Sequence, residues 1–311
     1  MLTCELLRAL TVQPGDHPQG NGHISAASGL VCAHGRAYVI ADDDLHLAVF
    51  DDVQTPGRLH AVLPGALPLK HQARKRAKPD FEALLRLPPG LIDGCDALIA
   101  LGSGSLEQRQ RGVAIVLDSD GEPVGQPQVF DLTPMHTPLR ELLGEINLEG
   151  AVVQSDALLM FNRGVAGRSD NAVVRYALRD LIDLIGGATA SITPIALRRY
   201  RLGDIDGVPL GFTDAAALPD GGCLFSAVAE ATDSSYADGE FRGAVIGRVN
   251  ARGGLQWLRR LRPNVKVEGI DVQVQVQLQL QTGNQRECTR VCLVTDPDDA
   301  AQSAQMLLTS W

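Results

Sequence analysis

Residues 266–281 read KVEGIDVQVQVQLQLQ, and from Val272 to Gln281 apolar and polar side chains alternate strictly. Such alternation is typical of a β-strand, in which successive side chains point to opposite faces. The stretch opens with an acidic residue, a glycine and an aliphatic residue, Glu268-Gly269-Ile270. This triplet has counterparts along the rest of the chain.

Similar triplets recur at intervals of 54 to 67 residues, and each has a polar or acidic residue followed by a small one and an apolar one. They are Ser28-Gly29-Leu30, Glu82-Ala83-Leu84, Glu149-Gly150-Ala151, Asp214-Ala215-Ala216 and Glu268-Gly269-Ile270. Each triplet is followed by turn residues and further short apolar runs, which in the last unit are VQLQL (276–280) and TRVCLV (289–294). Four short strands per unit predict an all-β protein, a β-propeller of five four-stranded blades starting near residues 27, 80, 147, 211 and 266, and leave a sixth blade open.

The two ends of the chain are expected to meet, because the last unit is incomplete and the stretch CELLRALTV (4–12) belongs to no unit. We therefore predict one domain, residues 1–311, that is closed by pairing of terminal strands. Residues 1–12 are the candidate closing strand, and MLLTSW (306–311) competes for that place. An unpaired blade edge would offer free backbone groups to other chains. Helical patterns are confined to residues 138–146, 177–185 and 300–308.

Composition excludes several classes of protein. Hydrophobic residues make up 45% of the chain and charged residues 21%, which excludes a disordered chain. The net charge of −9 has the opposite sign to that of a nucleic-acid-binding protein. The N-terminal stretch has no basic region followed by a long apolar core, so we expect a cytoplasmic protein with no membrane segment. The six cysteines do not have the spacing of a zinc site.

The first residue of each triplet is expected near one mouth of the central channel. In a four-stranded blade the first strand lines the channel, and the loop that enters it lies on the same face as the loop between the second and third strands. Four carboxylates there would repel one another unless a cation, basic side chains or protons compensated them. Oxygen ligands in a ring suit Ca²⁺, whereas no motif for an organic cofactor occurs. A structural role, in which each carboxylate accepts backbone N–H groups, stays open beside metal binding and proton transfer. The residues are Ser28, Glu82, Glu149, Asp214 and Glu268.

Other loops are expected to bring polar groups to the same mouth. The loops between second and third strands contain Asp42, Asp43 and Asp44, Ser103 and Ser105, Asn162 and Arg163, Glu230 and Asp233, and Thr282 and Asn284. Arg163 would pair with a channel carboxylate or hold an anionic substrate. The loop entering the second unit carries Lys70, His71, Arg74, Lys75, Arg76 and Lys78. It is either a solvated loop or a site that attracts a small anion. Lys78 precedes Pro79, and the residue before a proline is extended, which would aim Lys78 inward.

The segments KPDFEAL, LEGAVV, LLMFNRG and KVEGID together resemble the β-propeller group that includes the family called "esterase-like activity of phytase" and its bacterial relatives. The resemblance covers most of the chain at the level of blade pattern. It implies a calcium site and hydrolysis of phosphoesters or esters. It also implies that the acidic positions matter, namely Glu82, Glu149, Asp214 and Glu268, whereas Ser28 departs from the pattern.

Two hypotheses follow from the sequence. The first is a metal-assisted hydrolase of a small phosphorylated or esterified compound, in which Ca²⁺ is held by Glu149, Asp214 and Glu268. Lys78 and Arg163 would hold the anion of the substrate, and Glu82 would orient the attacking water. The second is a non-catalytic binding or scaffold propeller, in which the acids are structural and the basic loop docks an acidic protein partner.

Overall fold

The computed structural model of the chain contains five antiparallel sheets, the five blades of a β-propeller, as the repeat predicts. It describes residues 1–13, 15–17, 19–164, 170–231, 239–278 and 285–310. The innermost strand of each blade contacts the innermost strands of both neighbouring blades, and the series closes from the fifth blade back to the first. The propeller therefore forms a closed ring around a central channel.

The N-terminal segment contributes β1 (Leu2–Thr3) and β2 (Glu5–Ala9). Blade 1 consists of β3 (Ala27–Ala33), β4 (Arg36–Ala41), β5 (His46–Phe50) and β6 (Arg58–Ala61). A short helix, α1 (His71–Ala77), precedes blade 2, which consists of β7 (Phe81–Ile92), β8 (Cys95–Gly102), β9 (Arg111–Leu117) and β10 (Pro123–Asp131). After α2 (Thr133–Leu143), blade 3 consists of β11 (Leu148–Gln154), β12 (Ala157–Asn162), β13 (Asn171–Ala177) and β14 (Ala196–Tyr200), with α3 (Leu178–Ile185) between its last two strands.

Blade 4 consists of β16 (Val208–Ala217), β17 (Cys223–Ala231), β18 (Glu240–Val249) and β19 (Leu255–Arg262), and its sheet is extended by β15 (Asp204–Ile205) and by β1. Blade 5 consists of β20 (Val267–Leu278), β21 (Gln285–Thr295), β22 (Gln305–Ser310) and β2. The N-terminal β2 is thus the outermost strand of the last blade and pairs antiparallel with the C-terminal β22. The predicted closure by terminal strands is confirmed.

Five clusters of buried apolar side chains hold the ring together, and each lies between two adjacent blades. Close packing of the inner strands explains the small residue in the middle of each triplet. A Cβ added to Gly150 would lie 2.8 Å from the backbone nitrogen of Ala215 in the next blade. A Cβ added to Gly269 would lie 3.2 Å from the backbone of Gly29. Larger side chains at these positions would push neighbouring blades apart.

Three local predictions were wrong. Residues 300–308 do not form a helix, because Gln305–Ser310 is β22 and its backbone pairs with strands on both sides. The run VQLQL is not a separate strand, because the alternating pattern continues the first strand as far as Leu278; TRVCLV therefore belongs to the second strand. The basic segment expected as a loop contains α1. The helix predicted for 138–146 is α2, which begins earlier, with Pro134 in its first turn. No helix in the described ranges has the length and apolarity needed to cross a membrane.

Candidate active site

A β-bulge interrupts the innermost strand of every blade at the same level. In blades 1, 2, 3 and 5 the extra residue of the bulge is the first residue of the triplet, Ser28, Glu82, Glu149 or Glu268. In blade 4 the extra residue is Thr213, one position before the predicted Asp214. Bulges re-aim a side chain relative to the regular pleat, so these five residues form one ring. The ring is therefore Ser, Glu, Glu, Thr and Glu, and the sequence-based alignment of blade 4 was off by one residue.

The two hydroxyl members of this ring play the same structural role. The Ser28 hydroxyl donates a hydrogen bond to the carbonyl oxygen of Phe81, and the Thr213 hydroxyl donates one over 2.7 Å to the carbonyl oxygen of Val267. In each case the acceptor precedes the bulge of the next blade. Both hydroxyls therefore join neighbouring inner strands, and they carry no charge into the channel.

Asp214 is held entirely by backbone groups. One carboxylate oxygen accepts the N–H of Ala215 over 2.7 Å, and the other accepts the N–H of Ile270 in blade 5 over 2.8 Å. Its side chain is buried, and burial raises its pKa well above the ordinary value despite these two hydrogen bonds. This contact between blades 4 and 5 matches the structural role that the sequence left open, and it takes Asp214 out of the acidic ring.

Glu149 lies in a buried pair of acids that share one guanidinium. Arg163 is 2.6 Å from Glu230 and 3.6 Å from Glu149. Burial raises the pKa of Glu149 to about 8 although Arg163 opposes the shift. Burial would also raise the pKa of Glu230, but the charges of Arg163 and Lys266 hold it below its ordinary value. Arg163 therefore pairs with channel carboxylates, one of the two roles predicted for it.

Glu268 lies beside Lys266, a residue that sequence reasoning did not single out. The Lys266 ammonium is 3.4 Å from Glu268, 3.7 Å from Asp296 and 2.6 Å from Asp298. Burial raises the pKa of Glu268 to about 7, against the opposing charges of Lys266 and Arg163. The only sequence signal for Lys266 was its position two residues before an acid of the ring.

Lys78 joins blades 1 and 2 at the same mouth. Its backbone is extended, as the following proline predicts, and its ammonium pairs with Asp42 and, over 2.8 Å, with Asp80. Asp80, which sequence reasoning missed, also accepts hydrogen bonds from Ser103 over 2.5 Å and from Arg109 over 2.7 Å. Asp80 adopts a left-handed backbone conformation, φ +58°, which aspartate tolerates better than most residues.

Glu82 differs from every other acid of the mouth. Among the residues that the structure describes, no hydrogen bond or ion pair reaches its carboxyl group. Ligand oxygens of Glu82, Asp42 and Asp80 nevertheless lie within 4.8 Å of one another. Burial, together with the negative charges of Asp80, Glu149 and Asp42, raises the pKa of Glu82 well above its ordinary value, and Lys78 offsets this only in part.

Altogether the mouth holds more carboxylates than cations. We call the set the mouth network; its acids are Asp42, Asp80, Glu82, Glu149, Glu230, Glu268, Asp296 and Asp298, and its bases are Lys78, Arg109, Arg163 and Lys266. Low-dielectric surroundings make such an excess of negative charge costly, so protons or a further cation must compensate it. Hard carboxylate oxygens within 4.8 Å of one another are a donor set that fits Ca²⁺ or Mg²⁺.

A cavity of about 130 Å³ opens at the Lys78 side of the network. Its walls carry both signs of charge: Asp42, Asp43, Asp296, Asp298 and Asp299 are acidic, and Arg74, Lys75 and Lys78 are basic. Arg74 of α1 pairs with Asp43 over 3.1 Å, so the basic segment does reach the acidic mouth.

Of the other predicted mouth residues, Asn162 accepts the N–H of Asn147. Asp233, Thr282 and Asn284 lie outside the described residues.

Comparison with known proteins gives one family and several distant structures. The model of a family of unknown function, DUF6929, matches residues 23–310. No curated protein matches the chain in sequence. The resemblance to the "esterase-like activity of phytase" family is not shown by these comparisons.

Among solved structures, the chain is similar to an alpha-L-arabinanase from Cellvibrio cellulosa, at 12% identity and a TM-score of 0.47, with 93% of each chain covered. It is similar to the calcium-binding protein regucalcin from Agrobacterium tumefaciens at 11% identity and a TM-score of 0.43, with 99% of this chain and 95% of that chain covered. The chain is also similar to a gluconolactonase from Xanthomonas campestris at 11% identity and a TM-score of 0.33, with 98% of this chain and 89% of that chain covered. Likenesses this distant say nothing about the activity of the present chain.

Proposed function

The chain belongs to the family of unknown function DUF6929, and we propose that it is a metal-assisted hydrolase of a small phosphorylated or esterified compound, with its active site at the channel mouth. The family supplies no activity, so the proposal depends on the side chains of the mouth network. Its main support is one observation: the half-buried carboxyl group of Glu82 has no hydrogen-bond or ion-pair partner among the described residues and lies beside Asp42 and Asp80.

Glu82 has the properties of a general acid. Burial and neighbouring negative charge let its carboxyl group keep a proton well above the ordinary range of a glutamate. A carboxyl group with such a raised pKa can protonate a leaving-group oxygen and afterwards take a proton from water. Strongly perturbed acids of this kind are common at functional sites. The sequence-based role for Glu82, orienting the water, is compatible with this position.

A divalent cation would be held by the carboxylates of Asp42 and Asp80, while the protonated carboxyl group of Glu82 lies beside it and acts as the acid. These residues differ from the predicted set of Glu149, Asp214 and Glu268, two of whose members already pair with basic side chains while Asp214 binds backbone. When bound, the cation would stabilise negative charge that develops on the substrate oxygen. Lys78 is the resident counter-ion of Asp42 and Asp80, so the cation would compete with its ammonium.

The substrate would be a small anion. The mouth cavity of about 130 Å³ has room for a compact group, and Arg74, Lys75 and Lys78 lie in its wall. These cations favour a phosphate or carboxylate group, which Arg can bind in a bidentate manner. Arg163, predicted to hold the anion, is engaged by Glu149 and Glu230, so Lys78 is the better-placed of the two predicted residues.

Steady-state hydrolysis of phenyl phosphate, phenyl acetate and a simple lactone, with Ca²⁺ or Mg²⁺ present, tests the proposal, because their leaving groups need a proton. Replacing Glu82 by glutamine should lower kcat/KM for the accepted substrate by roughly 100-fold or more, because the variant has no proton to transfer. Glu240→Gln is the matched control, since Glu240 lies on the exposed edge of β18 and should leave the rate unchanged. Equal rates for Glu82→Gln and the unmodified chain would contradict a catalytic role for Glu82.

Metal binding is tested separately. At a Ca²⁺ concentration about 100 times its dissociation constant, the free energy of unfolding should rise by ~2.7 kcal/mol. Asp42→Asn should weaken calcium binding, measured by titration calorimetry, because it removes one charged ligand. An unchanged melting temperature with Ca²⁺ and with Mg²⁺ would remove the metal from the proposal.

A second candidate function, a non-catalytic binding propeller, is favoured by one specific observation. Most acids of the mouth network are engaged by internal partners, as in the pairing of Arg163 with Glu149 and Glu230. In that function the basic face of α1 would dock an acidic protein partner. Absence of turnover on all three substrate classes would favour this alternative.

A further inference from the structure

Beside blade 1, two histidines share one buried aspartate. The Asp44 carboxylate lies 2.9 Å from Nε2 of His17 and 2.7 Å from Nδ1 of His46. Asp44 and His17 are buried, and the His46 side chain is 14% exposed. The carboxylate also accepts the N–H of Leu45 over 2.6 Å. None of these residues takes part in the mouth network.

The hydrogen bonds fix which nitrogens carry protons. Nδ1 of His17 accepts the backbone N–H of Gln19 over 3.2 Å, so the proton of this ring is on Nε2 and is donated to Asp44. A carboxylate can only accept, so Nδ1 of His46 also donates to Asp44. Both rings are thereby locked in orientation. Nε2 of His46 makes no hydrogen bond within the described part of the chain.

A cavity of about 190 Å³ lies against this cluster. His17, Asp44, His46 and Gln19 form its polar wall, and the remaining wall is mostly apolar, with Leu45, Ala66, Leu67 and Leu69. Nε2 of His46, which has no partner among the described residues, therefore offers a hydrogen-bond acceptor in this polar wall.

We propose that this cavity binds a small organic molecule that has an apolar body and a hydroxyl group. The hydroxyl would donate a hydrogen bond to Nε2 of His46, and the apolar body would contact the leucine side chains. A cavity of roughly 150 Å³ is enough for one benzene ring, so the volume suits a phenol-sized ligand. The site shares no lining residue with the mouth cavity and does not depend on the hydrolase proposal.

Phenol and toluene are matched probes, because they have the same shape and differ in the hydroxyl group. The ring nitrogens of ¹⁵N-labelled histidines report binding in NMR titrations of the full chain. Phenol should shift the His46 resonances with a dissociation constant on the order of 1 mM and leave those of His23 unchanged. Toluene should bind about tenfold more weakly, because it cannot donate the hydrogen bond.

Two variants keep the proposal falsifiable. Ala66→Trp should fold, because Ala66 is exposed, and its indole should cover the cavity and weaken phenol binding more than tenfold. His46→Phe, with the His17 resonances as the reporter, should reduce the preference for phenol over toluene to nearly none. Phenol that does not saturate the His46 shift at about 20 mM, that binds no better than toluene, or that binds the Ala66→Trp variant equally well would overturn the proposal.

Discussion

The inner strands of blades 2 and 4 occupy equivalent positions in the ring but carry their acids differently. In blade 4 the bulged residue is the neutral Thr213. The acid that follows it, Asp214, accepts a backbone N–H hydrogen bond at each of its carboxylate oxygens. In blade 2 the bulged residue is itself an acid, Glu82, and no described group binds it. A shift of one residue thus separates an acid that fastens two blades from an acid that faces the mouth with its carboxyl group unpaired.

The difference shows that equivalent positions of one repeat can either stabilise the fold or supply a reactive side chain. Side chains of the ring that bond to the next blade, such as Ser28 and Thr213, stabilise the closed propeller. Glu82 contributes no such bond, and its neighbours make ionisation unfavourable. An acid that has no internal partner and has a strongly perturbed pKa is typical of a functional site.

Alanine substitution of Asp214 and of Glu82 should separate the structural role from the chemical role most strongly. Asp214→Ala leaves two buried N–H groups without an acceptor and should lower the free energy of unfolding by about 3 kcal/mol. Glu82→Ala removes no bond and should change it by less than about 0.5 kcal/mol. Urea denaturation followed by tryptophan fluorescence measures both. Equal losses for the two variants would mean that Glu82 is as structural as Asp214.

The pH dependence of stability tests the remaining acids of the ring. The pKa values of Glu268 and Glu149 are raised to about 7 and about 8, so both side chains hold protons in the folded chain at a pH where they are ionised in the unfolded chain. Stability from this source is fully present below about pH 4.5 and is lost as the pH rises through the folded values. Unfolding free energy should therefore fall by several kcal/mol between pH 5 and pH 8.

Glu268→Gln, which mimics the protonated acid, should flatten this profile, whereas Glu240→Gln on the exposed edge of β18 should leave it unchanged. A stability that rises over this pH range, or a profile that Glu268→Gln does not alter, would contradict the raised pKa.

The smallest expected effect concerns the two hydroxyl members of the ring. Ser28→Ala and Thr213→Val should each lower the free energy of unfolding by about 1 kcal/mol. Each substitution leaves one carbonyl oxygen of the next blade without its hydrogen-bond donor. Thr213→Ser retains the hydroxyl and should be close to neutral. Unequal costs for Ser28→Ala and Thr213→Val would weaken the assignment of Thr213, rather than Asp214, to the ring.

The sequence was sufficient to predict the five-fold repeat, but it did not show which residue of blade 4 is equivalent to the first triplet residue of the other blades. Recurring triplets and short apolar runs predicted five blades and a closing strand at residues 1–12, because each blade must bury its faces against two neighbours. The segment FTDAAA fits the triplet pattern at Asp214, and only the pairing with β17 shows that the bulge lies at Thr213. The alternating pattern of blade 5 likewise contains no signal that ends the strand before Leu278. The two apolar runs that were predicted as separate strands therefore belong to the single strand β20.

The candidate site was predicted in part, for similar physical reasons. Glu82, Lys78 and Arg163 lie at the mouth as expected, since blade geometry brings those loops to one face. Asp80, Arg109 and Lys266 were missed, because their roles depend on which neighbouring blade they reach across to. Sequence spacing carries no information on such contacts between separate loops.

The protonation of Glu82 is the most direct test of this account. With ¹³C-labelled glutamate and the Glu82→Gln variant for assignment, the carboxyl chemical shift of Glu82 can be followed by NMR as the pH changes. Because burial and neighbouring acids disfavour its charged form, the titration midpoint should lie well above the ordinary glutamate range. A midpoint within the ordinary range would mean that Glu82 is ionised near neutral pH and cannot act as the general acid of the mouth.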